Sequence, residues 1–583
     1  MYLHTFLYIR SVVTITKYLC MLKFIKNHLE KSPNVIGIFL IFISLIAYCY
    51  VAYINFPSEF DDAYMFLRYA KQIIAGNGHT WNIGEGQIYG STSLTHVIFV
   101  TFLRWVLFFA RDSVVLFVSS ALPSLATVFV FGYTASKIVQ NKYFQGQLLL
   151  CIGVSAALFG CSEHFYYHFN TGMDTMLCFL MHSILISYVL LHWDQLWESK
   201  QSIIAALLCY LVFITRPEHI LPAGVFVFLY ILFFQKKNFA RIAGVFVLAS
   251  IVLLTVDSLA KFVVFGDILP LSYYSKKSGF YIDYREENWP KRFFIHFFFL
   301  SVTFAISTIL VFYKKTDFKK AIVFFVPVLL LILYLVTVVQ IMGHRSRYYH
   351  PVAPYILFFA LSILPTIFRL SRLKIIIFFV SLILLSANSI WVKINRDVIQ
   401  NYKHAIDRTP RYFPKLDAEY CTVPDSSLKR NHRFWLRTMT QMDSLLREIP
   451  DSLVVSSSEF GIIGADFPKL SIVDPLGLHN AEIAKNGFSY EALVRRKPTM
   501  IWMAHSDYKT IFRRTLSNPK FWADYDYYPT VFEFGIAIRK DKNNEYITSV
   551  VERYHKRYYN NRSIATLKAT PKPEVLAGKV IAK

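Results

Sequence analysis

The chain has 583 residues, of which 55% are hydrophobic and 17% aromatic, far more apolar surface than a soluble core of this length can absorb. Its formal charge of +24 does not point to nucleic acid, because Lys and Arg fall in short clusters between apolar runs rather than along one continuous basic face. Seven cysteines, six of them (Cys20, Cys49, Cys151, Cys161, Cys178, Cys209) in the N-terminal extension or apolar segments and Cys421 in the polar tail, exclude a disulfide framework and CxxC metal pairs.

Residues 1–20 are moderately apolar but are interrupted by Arg10 and Lys17 and lead to no small-residue cleavage site, so they read as an extension upstream of Met21. Residues 1–34 are then a cytoplasmic N-terminal segment. Apolar runs long enough to cross a hydrocarbon core of about 30 Å follow near 35–54, 113–135, 172–191, 219–235, 242–264, 293–313, 321–342, 351–368 and 375–393, with shorter runs at 147–160 and 202–215.

One further run, 91–110, carries Arg104 at its centre and Ser91, Thr92, Ser93, Thr95 and His96 in its first turns. The short basic clusters are Lys23/Lys26/Lys31, Lys137/Lys142, Lys236/Lys237/Arg241, Lys314/Lys315/Lys319/Lys320 and Arg369/Arg372/Lys374. All five face the cytoplasm only if 91–110 does not cross, so the sequence predicts an interfacial or re-entrant helix there. About eleven spans result. The fold class is an α-helical polytopic membrane protein, residues 35–395, with a first outer loop at 55–112 and an extracytoplasmic α/β domain at 396–583. Within the latter, short β-like runs occur at 452–458, 469–475, 498–504 and 531–539, and Gly461, Gly464 and Val473 to Leu478 read as strand ends and turns.

Four polar groups fall on one face by this topology. Asp61 and Asp62 open an amphipathic stretch that also carries Tyr64 and Arg68; N-capping accounts for one acid, whereas two suit a general base and a partner that orients it or binds metal. Glu163, His164, His168 and Asp174 lead into the span at 172; solvation at a span mouth accounts for the two His, while Asp174, expected a turn inside an apolar helix, is costlier to place. Arg216 and Glu218 sit at the end of a short span, where a mutual ion pair would also explain them. Lys276 and Lys277, with His344, Arg345 and Arg347, put cations on the outer face against the positive-inside bias, as a phosphate at headgroup depth requires or as contact with anionic lipid allows. Asp257 and Lys261, one turn apart, pair with each other and stay outside the site.

The ordered set Asp61-Asp62-Ala63-Tyr64, Gly90-Ser91-Thr92-Ser93, Gly172-Met173-Asp174-Thr175, Arg216-Pro217-Glu218, Gly266-Asp267-Ile268-Leu269-Pro270 and Arg347-Tyr348-Tyr349-His350-Pro351 resembles the GT-C glycosyltransferase superfamily, in particular its branch of polyprenyl-phosphate-dependent arabinofuranosyltransferases and protein mannosyltransferase-like enzymes. Asp474-Pro475-Leu476-Gly477-Leu478 is similar to a turn in that branch's extracytoplasmic domain. The resemblance implies inverting transfer from a polyprenyl-phosphate sugar to a cell-envelope glycan, lipid or protein acceptor. It makes Asp61 the base, or Asp62 if the register shifts by one, and Asp174 the second-loop acid, in a Met-Asp where relatives carry Met-Glu. Arg216, Arg345, Arg347 and Lys276 would hold the donor phosphate, with Tyr64, Arg68, Glu163, Glu218 and His344 around the substrate. No cofactor is assigned, a divalent metal is left open, and the remaining partners are membrane lipids. The rival is a transporter or flippase of lipid-linked sugars, which should instead show broken helices and midplane charges.

Overall fold

The computed structural model describes residues 32–55, 60–139, 144–160, 162–277, 318–337, 347–367, 419–422, 435–449, 453–504, 508–529, 531–532, 534–541, 544–558 and 568–579. The expected spans at 293–313 and 375–393, most of the N-terminal segment, and His344 and Arg345 lie outside them.

Apolar runs become helices in the expected order. α1 (Pro33–Asn55) is followed by α2 (Asp61–Ile74), α3 (Leu94–Val106), α4 (Asp112–Ile138), α5 (Leu148–Gly160), α6 (Glu163–Phe169), α7 (Thr175–Leu191), α8 (Ser199–Thr215), α9 (Ile220–Phe234), α10 (Phe239–Phe265), α11 (Leu271–Lys277), α12 (Phe318–Thr337) and α13 (Ala353–Ile367). Among the described residues, five segments are long and apolar enough to cross a bilayer: Pro33–Tyr53, Asp112–Ile138, Pro217–Phe234, Lys236–Phe265 and Phe318–Leu335. Helices α7, α8, α9, α12 and α13 share a core of Phe179, Ile186, Val212, Phe226, Tyr230, Phe324 and Tyr355.

At 13 residues α3 is about 20 Å long, too short for a hydrocarbon core of about 30 Å. It buries His96, Val97, Val100 and Leu103 and exposes Ile98, Phe102, Trp105 and Val106. Arg104 lies in the last turn rather than the middle and donates to the carbonyls of Leu107, Phe108 and Ala110, which closes the helix end.

The C-terminal part begins at β1 (Cys421–Thr422), which pairs with β7 (Thr570–Pro571). Its sheet holds β2 (Val454–Ser456), β3 (Ser471–Val473), β4 (Met500–Trp502), β5 (Tyr525–Tyr528) and β6 (Ile536–Arg539) in the order β3-β2-β4-β6-β5. β2 is parallel to β3 and β4, whereas β6 runs antiparallel to β4 and β5. Among its helices, α14 (Trp435–Leu446) packs on α15 (Gly461–Asp466), which in turn packs on α2.

One hydrophobic core runs through both this sheet and the first loop, joining Ala63, Leu67, Trp81 and Val100 to Ile463, Leu476, Ile501 and Val550. Polar bonds reinforce it. Arg68, fully buried, donates to the carbonyls of Trp81 (2.8 Å), Gly464 (2.8 Å), Phe467 (3.2 Å) and Leu470 (2.9 Å) and to Asn82 Oδ1 (3.1 Å), with its guanidinium over the Trp81 ring. The segment after α10 joins the same assembly: Ser275 donates to Gly477 O at 2.8 Å, Lys485 pairs with Asp267 at 2.8 Å, and Leu271 N–H donates to Tyr89 O.

Candidate active site

The site is a cavity of about 540 Å³ where several chain segments meet. The start of α2 brings Asp61 and Asp62, the turn after α8 brings Arg216 and Glu218, α11 brings Lys276 and Lys277, and the segment before α13 brings Arg347 and Tyr348. Gly90, Ser91 and Thr92 line it as well.

A chain of ion pairs ties the walls together. Arg347 Nη1 meets Asp62 Oδ2 at 3.1 Å, and its Nη2 approaches Asp174 Oδ1 at 4.0 Å. Asp174 Oδ2 accepts from Arg216 Nε at 3.1 Å, and Arg216 Nη1 lies 3.8 Å from Glu218. Arg216 also donates to the Arg347 carbonyl at 3.3 Å, and Tyr348 lies against both guanidinium groups and the Lys276 ammonium. Asp174 is fully buried, but it is not inside a helix: it stands just before Thr175 as the residue that begins α7. Gly172, two residues earlier, has φ +71°, and a Cβ there would lie 2.8 Å from the Leu116 Cβ and 3.2 Å from the Ala63 Cβ, so a left-handed, side-chain-free residue delivers Asp174 to this position. Arg347 stands between Asp62 and Asp174.

The adjacent acids of α2 have different jobs. Asp61 turns both oxygens to the N-terminus of α15: Oδ2 accepts from Gly461 N–H at 2.9 Å and Oδ1 from Ile462 N–H at 2.8 Å. It therefore caps a helix, but one 400 residues away rather than its own. Burial pushes its carboxyl up from 3.8 to about 6 despite those two bonds, with the Asp62 charge adding to the rise. Asp62 keeps part of its side chain open to the cavity and pairs only across it, with Arg347, among the bonds described.

Several sequence expectations need correction. Arg68 does not reach the cavity, because five acceptors hold it in the seam between the first loop and the C-terminal sheet. Tyr64 is likewise buried in that shared core and does not line the cavity. His168 is not solvated: it is buried with its ring 4.7 Å from that of His350. Glu163 opens α6. Asp257 and Lys261 form the expected pair at 2.6 Å, joined by Tyr210.

The C-terminal part supplies a wall that sequence reasoning left out: Ser458, Glu459, Phe460, His479 and Tyr508. The turn Asp474 to Leu478 shapes part of it. Asp474 accepts from Leu476 N–H and His479 N–H, both at 2.7 Å, and burial pushes its carboxyl up to about 7. His479 then stacks on Trp81 at 3.7 Å and meets Tyr69 Oη at 2.8 Å. The signal for this wall was present in Gly461, Gly464 and the Asp474 turn, read only as chain reversals.

No protein-family model matches the sequence, and no curated protein matches it. Two solved structures of the oligosaccharyltransferase of the archaeon Archaeoglobus fulgidus are similar to this chain. One, a complex with Zn and sulfate, shares 11% identity over 86% of this chain and 73% of its own, with a TM-score of 0.45. The other, in complex with an inhibitory peptide and a dolichol-phosphate, shares 11% identity over 86% of this chain and 74% of its own, with a TM-score of 0.46.

Proposed function

We propose that the chain is a membrane glycosyltransferase of the GT-C kind, moving a sugar from a polyprenyl-phosphate donor to a cell-envelope glycan, lipid or protein acceptor on the extracytoplasmic face. The observation that carries this reading is the continuous chain Asp62–Arg347–Asp174–Arg216, of which Asp62, Arg347 and Arg216 line the cavity and Asp174 is buried behind them, with Lys276 and Lys277 beside it. An acid open to a cavity and two guanidinium groups beyond it are the parts that an in-line displacement at an anomeric carbon needs.

Asp62, rather than Asp61, is the base. Both oxygens of Asp61 are engaged by backbone N–H groups, whereas the partner of Asp62 is a cation that a phosphate can compete for. When the donor phosphate enters, Arg347 turns from Asp62 to the phosphate, and Asp62 is released to take the proton of the acceptor hydroxyl. Arg216, held by Asp174, and Lys276 stabilise the charge that grows on the departing phosphate. The sugar inverts in one step, with no covalent enzyme intermediate.

The membrane part spans residues 35–395, and the part from 396 onward closes the cavity from the extracytoplasmic side through Glu459 and His479. A strain lacking the gene tests the assignment in its native setting. It should accumulate a polyprenyl-phosphate sugar and carry a truncated envelope glycan; loss of that lipid from the outer leaflet with an intact transferase activity would instead mark a flippase.

A further inference from the structure

Below the ion-pair chain lies a second cluster that the proposed transfer does not use. Cys178 and His182, one turn apart on α7, meet His219 from the 3-10 turn Pro217–His219, and all three side chains are fully buried. One ligand atom from each falls within 4.8 Å of the others. His182 Nε2 and His219 Nδ1 face each other at 3.0 Å, and His182 Nδ1 meets the Tyr355 hydroxyl at 3.1 Å.

The geometry points to a binding site for a soft d10 cation, Cu(I) or Zn(II), held by Cys178, His182 and His219. A thiolate and two imidazoles are the donors such ions take. At metal–nitrogen bonds of about 2.0–2.1 Å, two nitrogens of a tetrahedral set lie about 3.3 Å apart, close to the separation of the two facing rings. Tyr355 supplies the outer partner that a ligating imidazole needs to fix its tautomer: with Nδ1–H of His182 donating to the phenol oxygen, the Nε2 lone pair would turn from His219 Nδ1 to the ion.

Binding balances simply. The cation takes the lone pairs of the two neutral rings and the thiolate of Cys178, and one proton, from the thiol, leaves. Cu(I) with one thiolate is neutral overall, which lowers the cost of placing it among buried apolar helices; Zn(II) leaves one net positive charge there.

The cluster is coupled to the ion-pair chain by sequence. Cys178 lies four residues after Asp174, and His219 three residues after Arg216. An ion joining them clips α7 to the turn after α8 and holds Arg216 against Asp174. Only this consequence rests on the glycosyltransferase reading; the site itself does not.

The test uses the full chain purified in detergent, loaded separately with Cu(I) from a competing chelator and with Zn(II), then dialysed. The wild type should retain one equivalent of the preferred ion, melt at a higher temperature when loaded, and give an X-ray absorption spectrum with one sulfur and two imidazole nitrogens. Cys178→Ser and His182→Gln should lose the ion, and Co(II) in the zinc arm should show a thiolate charge-transfer band that Cys178→Ser abolishes. Retention of neither ion by the wild type, or a loaded wild type whose absorption spectrum contains no sulfur ligand, overturns the proposal; the latter measurement needs no variant. A failure of either kind leaves the transfer assay of Asp62 unaffected, so the two readings fall separately.

Discussion

Asp61 Oδ2 accepts the backbone N–H of Gly461 at 2.9 Å, joining the first residue of the helix after the first span to the start of a helix 400 residues later. A Cβ at position 461 would lie 1.9 Å from the Asp61 carbonyl oxygen, so only glycine permits this approach. Gly461→Ala should therefore separate the first loop from the C-terminal sheet. Thermal unfolding followed in detergent should show a loss of at least about 1–3 kcal/mol, the range for overpacking a tight contact.

The same contact gives a pH signature. The Asp61 carboxyl is raised from 3.8 to about 6, chiefly by burial, so the folded protein holds that proton more tightly than the unfolded chain. Its stabilising contribution is full below pH 3.8 and is lost as pH rises through about 6. Asp474, raised to about 7, acts in the same direction. Melting temperature measured between pH 4 and 6 should fall less steeply in Asp61→Asn than in the wild type, whatever the offset between the two curves.

Arg68 tests the seam without touching the cavity. Arg68→Met removes five hydrogen bonds and takes the guanidinium donor from the buried carbonyls of Trp81, Gly464 and Leu470, while the Phe467 carbonyl keeps the Leu470 N–H, a cost on the order of 3 kcal/mol or more. Arg68→Lys, with one point charge in place of a fork, should recover only part of it. Differential scanning fluorimetry on matched membrane extracts reads both.

Arg347 separates positioning from charge. Arg347→Ala should lower kcat/KM for the lipid-linked donor by about 10²–10³-fold, the cost of one cation aimed at developing charge, and Arg347→Lys by less. Steady-state kinetics at saturating acceptor distinguishes the two.

The membrane helices were legible because a run of about 20 apolar residues is a local signal that needs no knowledge of its neighbours. A short helix at 94–106 lies inside the run 91–110, which its polar first turns and Arg104 set apart from the other apolar runs. Strands β2, β3, β4 and β6 fall within the predicted runs, while β5 was missed because Tyr525-Asp526-Tyr527-Tyr528 alternates aromatic with charge only once. What the sequence could not disclose were the partners chosen at long range. Asp61 and Asp62 are chemically alike and adjacent, and only the arrival of Gly461 on one and Arg347 on the other divides cap from cavity acid. Arg68 looked like a cavity cation for the same reason, since its carbonyl acceptors lie up to 402 residues away.

The most direct test compares sugar transfer from a polyprenyl-phosphate donor by purified wild type, Asp62→Asn and Asp61→Asn, at equal protein and with folding verified by melting. Asp62→Asn should lose about 10²–10⁴-fold in kcat while keeping its melting temperature within a few degrees, and Asp61→Asn should lose stability first. Undiminished transfer by a folded Asp62→Asn protein would contradict the account.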